Sequence, residues 1–273
     1  VFEIDQKFYS LEEWIAWATS NPYVFRADHA KRMVDQIADA GLVEPLTGWR
    51  MSAHEIQVGG TNVREGLVAH GINARMRSVL ALIDEKFGHR PRHDVRIFAT
   101  EAVTAFALRL RGLFPRFLGS EYALNEEARR ALFPIQHEDL TALSLPSESF
   151  DLVTTNEVLE HIPDLDAGLR EIARVLKPGG WHVGTHPFRF MSEEGDLRAR
   201  IVDGAIVHIK EPERHGNPVD PGGGSLVFET PGWDILQRAR SAGFSDAHMR
   251  FVASVTHGFL TENTGVFVLC AQR

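Results

Sequence analysis

Residues 150–188, FDLVTTNEVLEHIPDLDAGLREIARVLKPGGWHVGTHPF, constrain the fold of this chain more than any other stretch. An apolar run ends in polar residues. Leu165, Leu169, Ile172 and Leu176 then recur at i, i+4, i+7 and i+11, the spacing of one helix face. Pro178 cannot continue a helix, and Gly179 supplies the turn. A second apolar run follows. Strand, helix, turn and strand in that order predict a βαβ crossover, the unit that joins parallel strands of one sheet.

The same rhythm continues upstream. VRIFAT, PRFLGSEY and PIQHEDL read as strands, with AVTAFALRLRGLF and NEEARRALF as helices between them. Such alternation predicts a doubly wound, mostly parallel sheet. Downstream, residues 189–225 read as irregular, WDILQRARSAGF as a helix, and HMRFVAS and GVFVLCAQR as an antiparallel C-terminal pair. The first 90 residues have a different character. SLEEWIAWATSN carries helical spacing, with Ser10 as N-cap and Glu13 three residues on. ADHAKRMVDQIADAGL is a second helix ending at Gly41, and a third spans about 73–87. KFGHRPRHD, rich in charge with Gly and Pro, marks a boundary. The expected organisation is a mostly helical cap over 1–90 and an α/β domain over 91–273, with an irregular insertion at about 189–225.

Composition narrows the function. The 273 residues are 44% hydrophobic and 24% charged, an ordinary globular mixture. No run of about 18 apolar residues exists, so no membrane span is expected. VFEIDQKFYSLEEW lacks a basic region followed by an apolar core, so no secretory signal is expected, and the expected compartment is the cytoplasm. The single cysteine, Cys270, excludes a disulfide framework or a cysteine zinc site within one chain and is expected to be a buried, inert thiol. A net charge of −8 repels nucleic acid, which leaves a small molecule as the expected partner. Nothing in the sequence sets an oligomeric state.

In open parallel sheets, ligands sit beyond the carboxyl ends of the strands. Glu101, Glu121, Asp139 and Asn156 fall at or just beyond the carboxyl ends of four successive predicted strands. From about residue 94 to the C-terminus the chain resembles the class I S-adenosylmethionine-dependent methyltransferases. EDLTALSLPSESFDLVTTNEVLEHI is similar to that family's segment from third to fourth strand, and LREIARVLKPGGWHVGTHPF to the helix, turn and fifth strand that follow. The resemblance implies a seven-stranded sheet closed by a reversed hairpin, and S-adenosylmethionine as cofactor. It places Glu121, followed by Tyr122, on the ribose hydroxyls, and a carboxylate suits a diol because it accepts side by side. It places Asp139 and Leu140 near the adenine, Asn156 beside the methionine part, and Glu160 and His161 on the substrate side.

The resemblance departs at the first loop. The family's three glycines are replaced by Thr100, Ala102 and Thr104, and its acid by Phe98, with Glu101 inside the loop. Thr100, Ala102 and Thr104 are expected to line the cofactor, because all three replacements are small, and Glu101 is expected to take over the missing acid's work at the methionine end. Any left-handed backbone there would be strained. The resemblance also implies that an N-terminal cap presents a basic residue to the cofactor's carboxylate; Arg64 and Arg75, in NVREGLVAHGINARMRSVL, are the candidates.

Among thirteen histidines, His161, His186, His215 and His257 stand out, with His161 or His186 expected as the base that deprotonates an acceptor. Glu157, Glu160, His161 and His186 have metal-ligand chemistry, but no HExxH-like helical pair supports them and no metal is expected. The leading reading is methyl transfer to an O or N atom of a small biosynthetic molecule. The rival is a binding or non-methylating protein on the same fold, which the missing glycines favour and Glu121, Asp139 and Asn156 oppose.

Overall fold

The computed structural model describes residues 3–60, 62–123, 125–220 and 222–273. In chain order the principal elements are β1 (Ile4–Phe8), α1 (Leu11–Ser20), α2 (Ala27–Ala40), α3 (Ala74–Phe87), β2 (Arg96–Ala99), α4 (Ala105–Leu113), β3 (Arg116–Glu121), α5 (Glu126–Leu132), β4 (Gln136–His137), β5 (Phe150–Asn156), α6 (Leu165–Val175), β6 (Leu176–Thr185), α7 (Asp234–Ser241), β7 (Asp246–Ala253) and β8 (Val266–Gln272). They form two compact units, Val1–Arg92 with His248–Leu269, and His93–Ala247 with Cys270–Arg273. No helix among the described residues is long and apolar enough to cross a membrane.

The first unit opens with a strand that the sequence did not announce. β1 pairs antiparallel with β7, Ile4 opposite Ala253 and Phe8 opposite Met249. Ile4 and Phe8 are buried while the three residues between them are exposed, so the alternation that marks a strand is missing. α1 starts as expected. The Ser10 hydroxyl accepts from the Glu13 amide at 3.2 Å, and the Glu13 carboxylate accepts from the Tyr9 amide at 2.8 Å. Trp14 on this helix is buried and meets the rings of Phe8, Phe251 and Phe267 edge-on at 5.3, 5.0 and 4.9 Å.

α3 carries Arg77 into the interior of this unit, where it is 1% exposed. Its guanidinium donates to the carbonyl oxygens of Leu67 at 2.9 Å, Ile72 at 2.5 Å and Gly258 at 2.9 Å. Burial pulls its pKa down to about 9, and the three carbonyls hold the charge. Arg77→Met is expected to orphan those acceptors. At about 1–3 kcal/mol for each buried group left unsatisfied, the loss in a urea melt should reach about 3 kcal/mol or more. A melt unchanged by the substitution would show that the carbonyls do not depend on it.

The second unit holds a parallel sheet in the order β6–β5–β2–β3–β4. β5 is buried at all seven positions, as a central parallel strand covered on both faces is. α6 begins at Asp164, whose carboxylate accepts from the Ala167 amide at 2.9 Å, and it buries Leu165, Leu169 and Ile172 as expected. Leu176 is the exception: it opens β6. Proline at 178 disfavours helical backbone at Lys177, so the helix stops at Val175 and the chain passes through a bulge between Leu176 and Trp181. Gly179, with φ of +77°, makes the turn inside that bulge.

The stretch read as irregular contains short antiparallel ladders. Asp196–Leu197 pairs with Glu229–Thr230, Ala199–Val202 with Ala205–His208, and Arg214–His215 with Ser225–Leu226. Pieces of two to four residues are too short to show a period. Beyond the last ladder, the Phe228 amide donates to the Glu160 carbonyl at 2.8 Å, which ties this segment to the turn after β5.

One close approach sets the position of the loop after β2. A Cβ on Gly119 of β3 would stand 2.7 Å from the carbonyl oxygen of Glu101 and 3.1 Å from the Cα of Ala102. The nearest atom is backbone, and the Phe117 ring crowds the same point at 3.0 Å. Gly119→Ala is expected to displace residues 101–102 and to lower stability by about 1–3 kcal/mol in chemical denaturation. A variant as stable as its parent would show that the loop has room to move.

Candidate functional site

The register of the parallel sheet brings the polar residues to one edge. Thr185 stands opposite Asn156, Ala99 opposite both Thr154 and Gly119, and Glu121 opposite His137. The carboxyl ends of the strands thus carry Thr100 and Glu101 after β2, Glu121 on β3, Asp139 after β4, Asn156 on β5 and His186 after β6.

Glu121 is buried, and its Oε1 accepts from the amides of Ala102 at 2.7 Å and Val103 at 3.2 Å. Burial pushes its pKa up, and the two amide bonds oppose that shift. The loop that replaces the glycine motif is therefore fastened to β3 by its own amides. None of residues 100–104 has a positive φ, so the loop turns without the left-handed backbone for which glycine is needed. Thr104 caps α4, its hydroxyl accepting from the Ala107 amide at 3.1 Å. Ala102 is buried.

Glu101 turns inward. Its Oε1 accepts from the Asn156 amide nitrogen at 2.7 Å and its Oε2 from the Thr104 hydroxyl. Asn156 Oδ1 and Thr100 Oγ1 are buried at the same edge, without a hydrogen-bond partner among the described residues. A buried polar atom of this kind normally finds a partner. Asp139 makes a local turn, its Oδ1 accepting from the Thr141 amide at 2.8 Å and hydroxyl at 2.7 Å. Leu140 is buried, while Tyr122 is half exposed with its ring 5.5 Å from that of His137.

A second polar group forms in the turn after β5. Glu160, His161 and His215 offer ligand atoms within 4.8 Å of one another. Glu160 is fully buried. His161 Nε2 lies 3.6 Å from Glu160 Oε1, and His215 Nδ1 lies 3.7 Å from the same oxygen. The Glu160 carboxylate, with Glu213 adding to it, draws the His215 pKa up to about 9 against partial burial. At 3.7 Å the contact with Glu160 is that of an ion pair, longer than a hydrogen bond. The histidine gathered with Glu160 and His161 is thus His215, from the Arg214–His215 ladder, and this grouping does not include Glu157 or His186. Nothing in the spacing signalled it; only residue type did.

His186, buried after β6, meets Phe188 edge-on at 5.9 Å. Its neighbour His182 is fully buried, with Nε2 2.9 Å from the Thr155 hydroxyl; burial first, and His186 second, hold its pKa down to about 3. Arg64 and Arg75 belong to the first unit, where both guanidiniums meet Glu65, at 2.9 and 2.8 Å. His257, in the same unit, hydrogen-bonds the Val43 carbonyl at 2.8 Å.

Comparison with known proteins gives this edge a context. Residues 110–184 match a family described as a methyltransferase domain. The ubiquinone/menaquinone biosynthesis C-methyltransferase UbiE of Xanthomonas campestris is 36% identical over 95 residues, 29% of this chain and 37% of that protein. The ubiquinone biosynthesis O-methyltransferase of Paracidovorax citrulli is 44% identical over 50 residues, 17% of this chain and 21% of that protein. The chain thus matches well under half the length of these relatives. Among solved structures, 1,6-didemethyltoxoflavin-N1-methyltransferase of Burkholderia thailandensis superposes with a TM-score of 0.42 at 17% identity, covering 73% of this chain and 78% of that one. Through residues 110–184, from within α4 to the end of β6, the chain is similar to a methyltransferase domain, and the relatives it matches in part are methyltransferases.

Proposed function

We propose that the protein transfers the methyl group of S-adenosylmethionine to an oxygen or nitrogen atom of a small biosynthetic molecule. One observation carries this reading. Glu121 spends only Oε1 on the loop amides, and the unpartnered Asn156 Oδ1 and Thr100 Oγ1 share its strand edge. Glu121 Oε2 would accept from the ribose, Asp139 and Leu140 would border the adenine, and Asn156 with Thr100, Ala102 and Thr104 would line the remainder. Bound there, the cofactor supplies an electrophilic methyl on a sulfonium that is displaced in line, leaving a neutral thioether. The chain's own work is to align the acceptor, exclude water and take one proton when the nucleophile is a hydroxyl. The cluster of Glu160, His161 and His215 is the group to which that proton or its charge is referred.

The competing reading is a binding protein on the same fold. It is favoured by the inward turn of Glu101, whose carboxylate is occupied by Asn156 and Thr104. Turnover separates the two.

Glu121→Ala is expected to weaken S-adenosylhomocysteine binding by about tenfold or more, since a hydrogen bond to a charged acceptor contributes about 1.5–3 kcal/mol. Calorimetry on a folded variant that shows the parent's affinity would remove Glu121 from the site. His161→Ala or His215→Ala is expected to lower kcat by about 10²–10⁴ while cofactor affinity stays within a few-fold. If His186→Ala carries the loss instead, the acceptor's proton is handled at the end of β6.

A further inference from the structure

The geometry around Glu160 asks for a cation. Its carboxylate is 0% exposed, and neither oxygen accepts a hydrogen bond among the described residues. Both neighbouring imidazoles are held from behind. His161 Nδ1 lies 2.8 Å from the Leu226 carbonyl, which can only accept, so that nitrogen carries the proton. His215 Nε2 lies 3.0 Å from the Glu213 carboxylate, again an acceptor. In the neutral ring the other nitrogen then bears a lone pair. In both residues that nitrogen faces Glu160 Oε1, at 3.6 and 3.7 Å.

Donor atoms so placed repel one another unless something positive lies among them, either the second proton of His215 in its ion pair with Glu160 or a bound cation. A proton shared between ring and carboxylate would draw that pair to about 2.7–2.9 Å. The observed spacings suit ligand atoms that each lie about 2.0–2.2 Å from a common ion. The outward hydrogen bonds complete the pattern, since a metal-bound histidine ordinarily donates its far N–H to a carboxylate or a backbone carbonyl. Here one histidine does each.

We propose that Glu160, His161 and His215 bind a divalent transition-metal cation. Two imidazoles and one carboxylate favour ions of the zinc, cobalt, iron and manganese class over magnesium or calcium. Glu160 closes the buried side, while the side chains of His161 and His215 are 16% and 32% exposed, so the remaining coordination positions face outward. An acceptor oxygen bound in one of them would lose its proton more readily, which is what a Lewis acid contributes to a hydroxyl nucleophile. That use rests on the methyl-transfer reading; the binding of the ion does not.

The test is metal binding by the full chain, stripped with chelator and titrated at neutral pH with Co²⁺ by visible absorption and with Zn²⁺ by calorimetry. One equivalent of each is expected to bind at micromolar or lower concentration, the cobalt form showing ligand-field bands. His215→Ala and Glu160→Gln should each weaken Zn²⁺ binding by about 100-fold or more. Glu213→Gln, which reaches the cluster only through the far nitrogen of His215 and otherwise loses an ion pair with Arg198, should weaken it by about 10–100-fold. Circular dichroism and S-adenosylhomocysteine affinity report whether each variant folds, and His215→Ala decides if Glu160→Gln does not. The proposal is overturned if no saturable site appears below about 100 µM, or if folded His215→Ala binds Zn²⁺ as tightly as its parent; the cluster is then an ion pair alone. Metal binding without any methyl transfer would leave the site standing and remove the catalytic reading.

Discussion

Two amides donating to one carboxylate oxygen hold this site together. Glu121 Oε1 receives Ala102 and Val103 from the neighbouring loop. The bonds tie the end of β3 to the start of α4, and thereby fix Glu101 and Thr104 on the loop between them. Glu101 in turn holds Asn156 on β5. Three adjacent strands thus have their carboxyl ends connected through side chains as well as through the ladder. The arrangement works only if the loop lies against β3, and a glycine is still required for that. It stands at 119 on the strand, where any Cβ would strike the Glu101 carbonyl. The demand for a missing side chain has moved from the loop to its neighbour, and the loop keeps ordinary negative φ angles.

The parts of this structure that were legible in the sequence are those fixed by local rules. The Ser10–Glu13 cap, the Asp164 helix and the strand β5 follow from spacing and residue type over a dozen positions. What stayed hidden depends on partners far along the chain. β1 is a strand because β7 is there to pair with it, while its own pattern of two buried ends around exposed polar residues resembles a helix turn. The ladders between β6 and α7 are too short to carry a period. Gly119 carries no signal of its own in FLGSEY, since close approach is a property of the pair and not of either segment. His215 could be noticed as a histidine in a polar loop. Its meeting with Glu160 depends on the Arg214–Leu226 pairing and on the Phe228 amide bound to the Glu160 carbonyl.

Asn156 and Glu160 are four positions apart, yet they belong to different polar groups. The chain separates them by leaving the strand abruptly. Glu157 takes a positive φ of 54° while its amide still donates to the Thr185 carbonyl at 2.8 Å, and a short 3-10 turn over Leu159–His161 follows. A non-glycine residue in that conformation is uncommon, and it holds only where the surroundings fix it. Here β6 does so on one side and the 225–230 segment on the other.

The two groups differ in a way that bears on their work. Around Glu101 the hydrogen bonds run from donor to acceptor: Asn156 and Thr104 give, the carboxylate receives. A pairing of this kind positions atoms and needs nothing more. Around Glu160 the carboxylate is buried and the two facing nitrogens stand beyond hydrogen-bond length, each with its proton committed to a partner behind it. Low dielectric makes a buried charge costly, so its surroundings favour whatever brings positive charge to it, the ion pair with His215 included. In-line transfer sets donor and acceptor on opposite sides of the moving carbon. On the methyl-transfer reading, one strand therefore ends in a residue that serves the donor, and the turn beyond it carries the charge that serves the acceptor.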